Sequence, residues 1–314
     1  DNFSLWSYID IHGNWTSPWI RSTAGLTDVA HKNGVTVGTL MSIPFGNSVY
    51  LTSWRSDVYS RVLFRLTQKS GDKYLYAEPL VRMMKYYGIN GIGFNSEFRT
   101  SSSVMTQLSE FFVACHKEAE KLNWKFEVHW YDGTSDDGQI HFDGGLGYHN
   151  QKIFGDKDNI ATDMLFANYN WGPSHLSGSV STAKRLGRSS FDYYAGFDIQ
   201  GRGLRQASWS ALLDNDISIG FWGAHKQSLI HQSATDNGTS DIAIQKTYLK
   251  KQELMFSGGY NNPGLLPAIN TDCNLANASL KSFHGLATFL TAKSTIQQVP
   301  FVSRFNLGNG LSFR

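Results

Sequence analysis

The chain has 314 residues, of which 41% are hydrophobic, 14% aromatic and only 17% charged, with a net charge of +2. That composition excludes a disordered chain, gives ample material for one large core, and offers none of the long basic runs that mark a nucleic-acid binder. Two cysteines, Cys115 and Cys273, lie too far apart for metal-ligand or redox spacing, and no apolar run approaches the roughly 18 residues needed to span a bilayer.

In chain order, patterns of strand and helix alternate, which argues for a parallel sheet with crossover helices. Residues 3–11 read as a first strand. Residues 22–33 form a helix opened by a serine and closed by Gly34, and 35–41 form the second strand. An excursion containing Trp54 and Tyr59 precedes a helix over 76–87, which Gly88 ends before a third strand at 89–94. Residues 101–122 are the clearest amphipathic helix, with Val104, Leu108, Phe111, Phe112, Cys115 and Ala119 at core-facing spacing. Strand four is expected at 126–130, followed by a Gly/Asp loop over 132–147, a strand at 163–168, a helix near 177–186 and a strand at 192–198. A helix at 206–213, a strand at 218–222, a helix at 239–256 and an eighth strand at 286–290 complete an α/β fold, a (β/α)8 TIM barrel.

Barrel chemistry sits where strands end at the C-terminal face. Collecting those ends gives His12, Asn14, Asn95, Glu97, Trp130, Tyr131, Asp132, Asn168, Tyr169, Asp198 and Trp222. One obvious acid, many hydrogen bonders and flat aromatic faces describe a carbohydrate pocket, without the basic cluster of a phosphate site or the ordered ligands of a catalytic metal. No cofactor and no metal are expected. Asp132 and Asp198 also carry a structural reading, since an aspartate at a strand end commonly caps the next turn.

The most informative stretch is Gly91-Ile92-Gly93-Phe94-Asn95-Ser96-Glu97, in which an amide and a carboxylate two residues apart leave the same face of a strand. Most glycosidases use two carboxylates, but in substrate-assisted enzymes the sugar's own 2-acetamido oxygen attacks the anomeric carbon. Glu97 could then be the proton donor and Asn95 could orient the acetamide, the alternative being a carboxylate satisfied by local hydrogen bonds.

Tyr86-Tyr87-Gly88-Ile89-Asn90-Gly91-Ile92-Gly93-Phe94-Asn95-Ser96-Glu97 resembles the signature of the endo-β-N-acetylglucosaminidases of glycoside hydrolase family 85. Further similarity runs through Phe3-Ser4-Leu5-Trp6-Ser7-Tyr8, His31-Lys32-Asn33-Gly34-Val35, Trp130-Tyr131-Asp132, Asn168-Tyr169-Asn170-Trp171 and Tyr194-Ala195-Gly196-Phe197-Asp198. The resemblance implies a retaining hydrolase of the β-1,4 bond in the N,N'-diacetylchitobiose core of N-linked glycans, acting through an oxazolinium intermediate and able to transglycosylate. It places Glu97 on the general acid/base, Asn95 on the acetamide-orienting residue and Tyr131 beside the reaction centre. Phe142 falls where family members can carry an acceptor-flanking tryptophan, and Trp222 where they can carry a tyrosine.

The implied partners are the N-glycans of glycoproteins, and the implied setting is a secreted or bacterial surface enzyme, with cytosolic members known in eukaryotes. Residues 1–298 are expected to form the catalytic barrel and 299–314 a tail of the kind that leads into a β-sandwich domain. A chitinase-like hydrolase of N-acetylglucosamine polymers and a non-catalytic glycan-binding barrel are the alternatives. A chitinase-like site would carry an aspartate where Asn95 stands, and retention of Glu97 speaks against a silent barrel.

Overall fold

The computed structural model describes residues 3, 5–14, 20, 24–43, 62–199, 209–223, 240–257 and 286–290. The expectations for Trp54, Tyr59, Cys273 and the tail 299–314 fall outside these residues.

Seven strands form one sheet in simple chain order, each parallel to the next: β1 (Ile11–Asn14), β2 (Thr36–Ile43), β3 (Gly91–Ser96), β4 (Glu127–Tyr131), β5 (Met164–Phe166), β6 (Tyr193–Asp198) and β7 (Ser218–Trp222). Helices α1 (Ala24–Lys32), α2 (Ala77–Tyr86), α3 (Ser102–Lys121), α4 (Gln151–Phe154), α5 (Pro173–Arg185) and α6 (Trp209–Leu213) lie between successive strands and α7 (Asp241–Ser257) follows the last, giving a TIM-barrel-like α/β fold.

One local device recurs. After α1, α2 and α5 the chain turns through a left-handed glycine, Gly34, Gly88 and Gly187, each with φ +69°. The next residue then donates its N–H back into the helix: Val35 to the Ala30 carbonyl at 2.9 Å, Ile89 to Met84 at 2.8 Å and Arg188 to Ala183 at 2.9 Å. This satisfies orphan carbonyls and aims the chain into the following strand region.

Helix α3 starts at the Ser101 cap, whose hydroxyl accepts from the Val104 N–H at 3.4 Å. Its Met105, Leu108, Phe111, Phe112, Cys115 and Ala119 are buried at helical spacing against the outer face of the sheet. Phe94 of β3 packs there with Phe112 and Trp130, at ring-centroid distances of 5.1 and 5.7 Å. This aromatic layer holds β3, β4 and α3 together, and burial drives the Cys115 thiol pKa upward, as befits a packing thiol.

Two expected elements differ. Residues 3–11 do not form one strand: Trp6–Tyr8 is a 3-10 turn, with Tyr8 N–H donating to Leu5 and Ile9 N–H to Trp6, both at 3.1 Å, and the strand begins only at Ile11. Trp6 joins Ala30, Val35 and Val37 while Tyr8 packs in the main core, so aromatics two residues apart imitated strand alternation while entering different clusters. At 286–290 the eighth strand is replaced, among the described residues, by a 3-10 turn, Leu286–Thr288, with Phe289 N–H donating to Leu286 at 2.8 Å. A short apolar run fits either state by periodicity alone.

Candidate active site

Strand alternation sets the site. In β3, Ile92, Phe94 and Ser96 face the helices, and Gly91, Gly93 and Asn95 face the barrel interior. The glycines leave room for His129 of β4: a Cβ at Gly91 would lie 2.3 Å from its Cε1. Phe166 likewise occupies the space beside Gly196 and Gly220, where a Cβ would meet its ring at 2.7 and 2.4 Å. These side chains occupy the space that the glycines leave in the lumen, and polar groups collect at the strand ends. Register places Gly93 beside His129 and Phe94 beside Trp130, so Asn95 comes level with Tyr131 one step further on.

Glu97 follows β3 directly. Asn95 Nδ2 donates to Glu97 Oε2 at 3.4 Å, a long contact that favours the charged carboxylate. Burial outweighs it and raises the Glu97 pKa, keeping a proton on the carboxyl to higher pH than in water. The backbone on both sides of Glu97 is clamped by Thr134. Its N–H donates to the Ser96 carbonyl at 2.6 Å, its hydroxyl approaches the Ser96 and Phe98 carbonyls at 2.9 and 2.6 Å, and that hydroxyl accepts from the Phe98 N–H at 3.1 Å. The Ser96 hydroxyl donates to the Tyr131 carbonyl, tying β3 to β4 at the same level. Gly133 must be glycine for this approach, since a Cβ there would lie 2.2 Å from the Ser96 oxygen.

From the neighbouring strand β4 rises an aromatic wall. The Tyr131 ring lies 6.1 Å from both Phe142 and Tyr169, and its hydroxyl donates to Asn168 Oδ1 at 2.8 Å. Phe142 has φ +52°, a left-handed conformation that is costly for a bulky side chain. Asn170 holds it there by donating from Nδ2 to the Phe142 carbonyl at 2.8 Å.

Two of the expected binding residues do not reach this mouth. Trp130 is 0% exposed, faces α3, and donates its indole N–H to the Thr134 carbonyl at 3.1 Å. The period of two sends it outward while its neighbour Tyr131 points in. Asp132 is 1% exposed and serves the loop instead: it accepts from the Gly144 N–H at 2.6 Å, the Asn168 N–H at 3.3 Å and Asn150 Nδ2 at 3.1 Å. Burial is the largest influence on its pKa and pushes it up to about 7 despite these donors.

Asp198 and Trp222 end β6 and β7 as directly paired neighbours, and both are half-buried. His12 is half-buried in β1, with its ring 6.5 Å from Trp6, and Asn14 is the last residue of that strand. Sequence reasoning missed Thr134, Asn150 and Asn170. Each is a polar residue in a loop, and only the folded contacts separate such residues from ordinary turn formers.

The barrel fold agrees with comparisons against known proteins. The family model for glycosyl hydrolase family 85 matches residues 2–313. The chain is 27% identical over 203 residues to the cytosolic endo-beta-N-acetylglucosaminidase of Danio rerio, covering 64% of this chain and 26% of that protein. It is 27% identical over 210 residues to the Homo sapiens protein of the same name, covering 64% and 25%. The chain therefore spans about a quarter of the length of these curated relatives. Among solved structures, the glycoside hydrolase domain of Endo-D from Streptococcus pneumoniae R6 superposes with a TM-score of 0.74 at 22% identity, over 94% of this chain and 43% of that one, which is a likeness of fold. With a family match that runs almost from end to end and a shared fold, the chain belongs to glycosyl hydrolase family 85.

Proposed function

We propose that this chain is the catalytic barrel of an endo-β-N-acetylglucosaminidase that cleaves the β-1,4 bond of the N,N'-diacetylchitobiose core of N-linked glycans. The observation that carries this reading is the pair at the end of β3: a half-buried Glu97 with a raised pKa, two residues from an inward-facing Asn95. The neighbouring acid, Asp132, is buried and engaged by three donors, so it does not offer a nucleophile at the mouth. A proton donor paired with an amide rather than with a second carboxylate suits a reaction in which the substrate brings the nucleophile.

In this mechanism Glu97 protonates the glycosidic oxygen as the leaving sugar departs. The 2-acetamido carbonyl oxygen attacks the anomeric carbon from the opposite face, and Asn95 accepts from the acetamido N–H as positive charge spreads over the forming oxazolinium ring. Glu97, now a carboxylate, takes a proton from water, which opens the ring with net retention; a sugar hydroxyl in place of water gives transglycosylation. Tyr131 steadies the acetamide, and Phe142, Tyr169, Asn168, Asp198, Trp222, His12 and Asn14 bound the sugar subsites.

The names of the curated relatives place those proteins in the cytosol, and the expectation of a secreted or surface enzyme finds no support in them. The test is mass spectrometry after incubation with high-mannose, complex and core-fucosylated glycoproteins. One N-acetylglucosamine left on the protein and a free glycan ending in the other is the expected result. Cleavage of chitin oligomers without glycan release would overturn the substrate assignment.

A further inference from the structure

The loop between β4 and α4 carries a second group of residues with its own chemistry. His141, Asp143 and His149 bring one ligand atom each to within 4.8 Å of one another, the one such trio among the described residues. The His141 and His149 rings stack with centroids 4.3 Å apart at 22°, an arrangement that places two nitrogen bases side by side. His149 Nδ1 lies 3.0 Å from Asp143 Oδ1. The other Asp143 oxygen, Oδ2, is buried without a hydrogen-bond partner, and a buried carboxylate oxygen left so is costly unless something positive meets it. Asp137 Oδ2 holds His141 Nε2 at 2.9 Å, the carboxylate support that metal-bound histidines commonly keep.

We infer that His141, Asp143 and His149 form a binding site for a divalent transition-metal ion of the zinc class. Two imidazoles and one carboxylate are the donor set such ions prefer, and hard cations that demand all-oxygen shells are not served by it. Bonds of about 2.0–2.1 Å in tetrahedral geometry put neighbouring donors roughly 3.4 Å apart, so the trio must contract and the two stacked rings must turn until their in-plane nitrogens converge, a rearrangement open to side chains that are partly solvent-exposed. The ion takes the place of the proton between His149 and Asp143 and satisfies the orphaned oxygen. The site also straddles Phe142, whose neighbours on both sides become ligands, so an ion there fixes the loop at its strained residue. Its role is structural, apart from the proton transfers assigned to Glu97.

Isothermal titration of the chelator-treated protein with zinc chloride tests this, with cobalt(II) absorbance as a second readout of tetrahedral nitrogen and oxygen ligation. Saturable binding of one ion per chain is expected, at least tenfold weaker in His149→Ala and in Asp143→Asn, and retained in Tyr148→Ala, which alters an exposed neighbour. Circular dichroism of each variant establishes that it is folded. Absence of stoichiometric binding, or binding equally strong in both ligand variants, would overturn the inference.

Discussion

Replacing Thr134 by valine removes one hydroxyl and keeps the shape of the side chain, which makes it a test of how Glu97 is held. That hydroxyl accepts from the Phe98 N–H at 3.1 Å and has one proton to share between the Ser96 and Phe98 carbonyls, at 2.9 and 2.6 Å. Losing the donated bond costs about 1 kcal/mol net, and orphaning the buried Phe98 N–H costs roughly 1–3 kcal/mol more, so about 2–4 kcal/mol of stability should go. Phe98 loses its partner on one side of Glu97, while on the other the Ser96 carbonyl keeps only the Thr134 N–H of the clamp, at 2.6 Å, and a displacement of about 1 Å at a reacting group can cost on the order of 10²-fold in rate. Urea unfolding measures the first effect, and steady-state kinetics of glycan release measure the second. We expect kcat to fall far more than KM rises, because the sugar-contacting side chains stay in place, and Thr134→Ser to recover both properties. A folded Thr134→Val protein with unchanged kcat would refute the clamp.

Glu97→Gln should lower glycan release by about 10²- to 10⁴-fold with the fold intact, since only a proton donor is lost; unaltered turnover in that variant removes Glu97 from the mechanism. Asn95→Ala should block hydrolysis of intact glycan yet spare a preformed sugar oxazoline, and equal loss on both substrates counts against its orienting role. Arg188 is buried against the Phe154 ring at 4.3 Å and donates to the Phe154 and Thr162 carbonyls and to Asp192; Arg188→Met should therefore cost about 3–5 kcal/mol in denaturant unfolding. Burial alone would raise the Glu127 pKa, but His129 at 3.3 Å and Lys125 at 2.8 Å outweigh it and hold it at about 2. A carboxylate lowered on folding adds stability that is complete above its ordinary value of 4.5 and lost as pH falls toward 2. Glu127→Gln should remove about 3 kcal/mol of that pH dependence, and a parallel curve for parent and variant across this window would contradict the assignment.

The order of strands and helices was legible because periodicity and helix-ending glycines are local signals. Gly34 and Gly88 end their helices as read, and the apolar spacing of α3 matches the buried side of the helix almost residue for residue. The strand at 218–222 has the same bounds in sequence and structure. The first strand and the eighth failed for one shared reason: a few apolar residues at spacing two satisfy a turn packed into a core as well as a strand.

In the site, the Asn95 and Glu97 pair could be read because one strand delivers both. The orientation of Trp130 was also available in principle, since adjacent residues of a strand face opposite ways and Tyr131 had been placed inside. Asp132 was harder: its partners Gly144, Asn150 and Asn168 are 12 to 36 residues away, so its structural duty exists only after folding. Thr134 was invisible for the same reason.

The carboxylate of Asp132 touches the backbone of two loops at once, the one that carries Phe142 and the one that carries Asn168 and Tyr169. Those walls of the mouth are thus one mechanical part. Altering residues near Phe142 will disturb the Tyr169 side too, and the reverse holds, so mutations in the two loops should show strong mutual dependence. Under the function proposed above, libraries that vary both loops together should reach preferences that neither loop reaches when it is changed by itself.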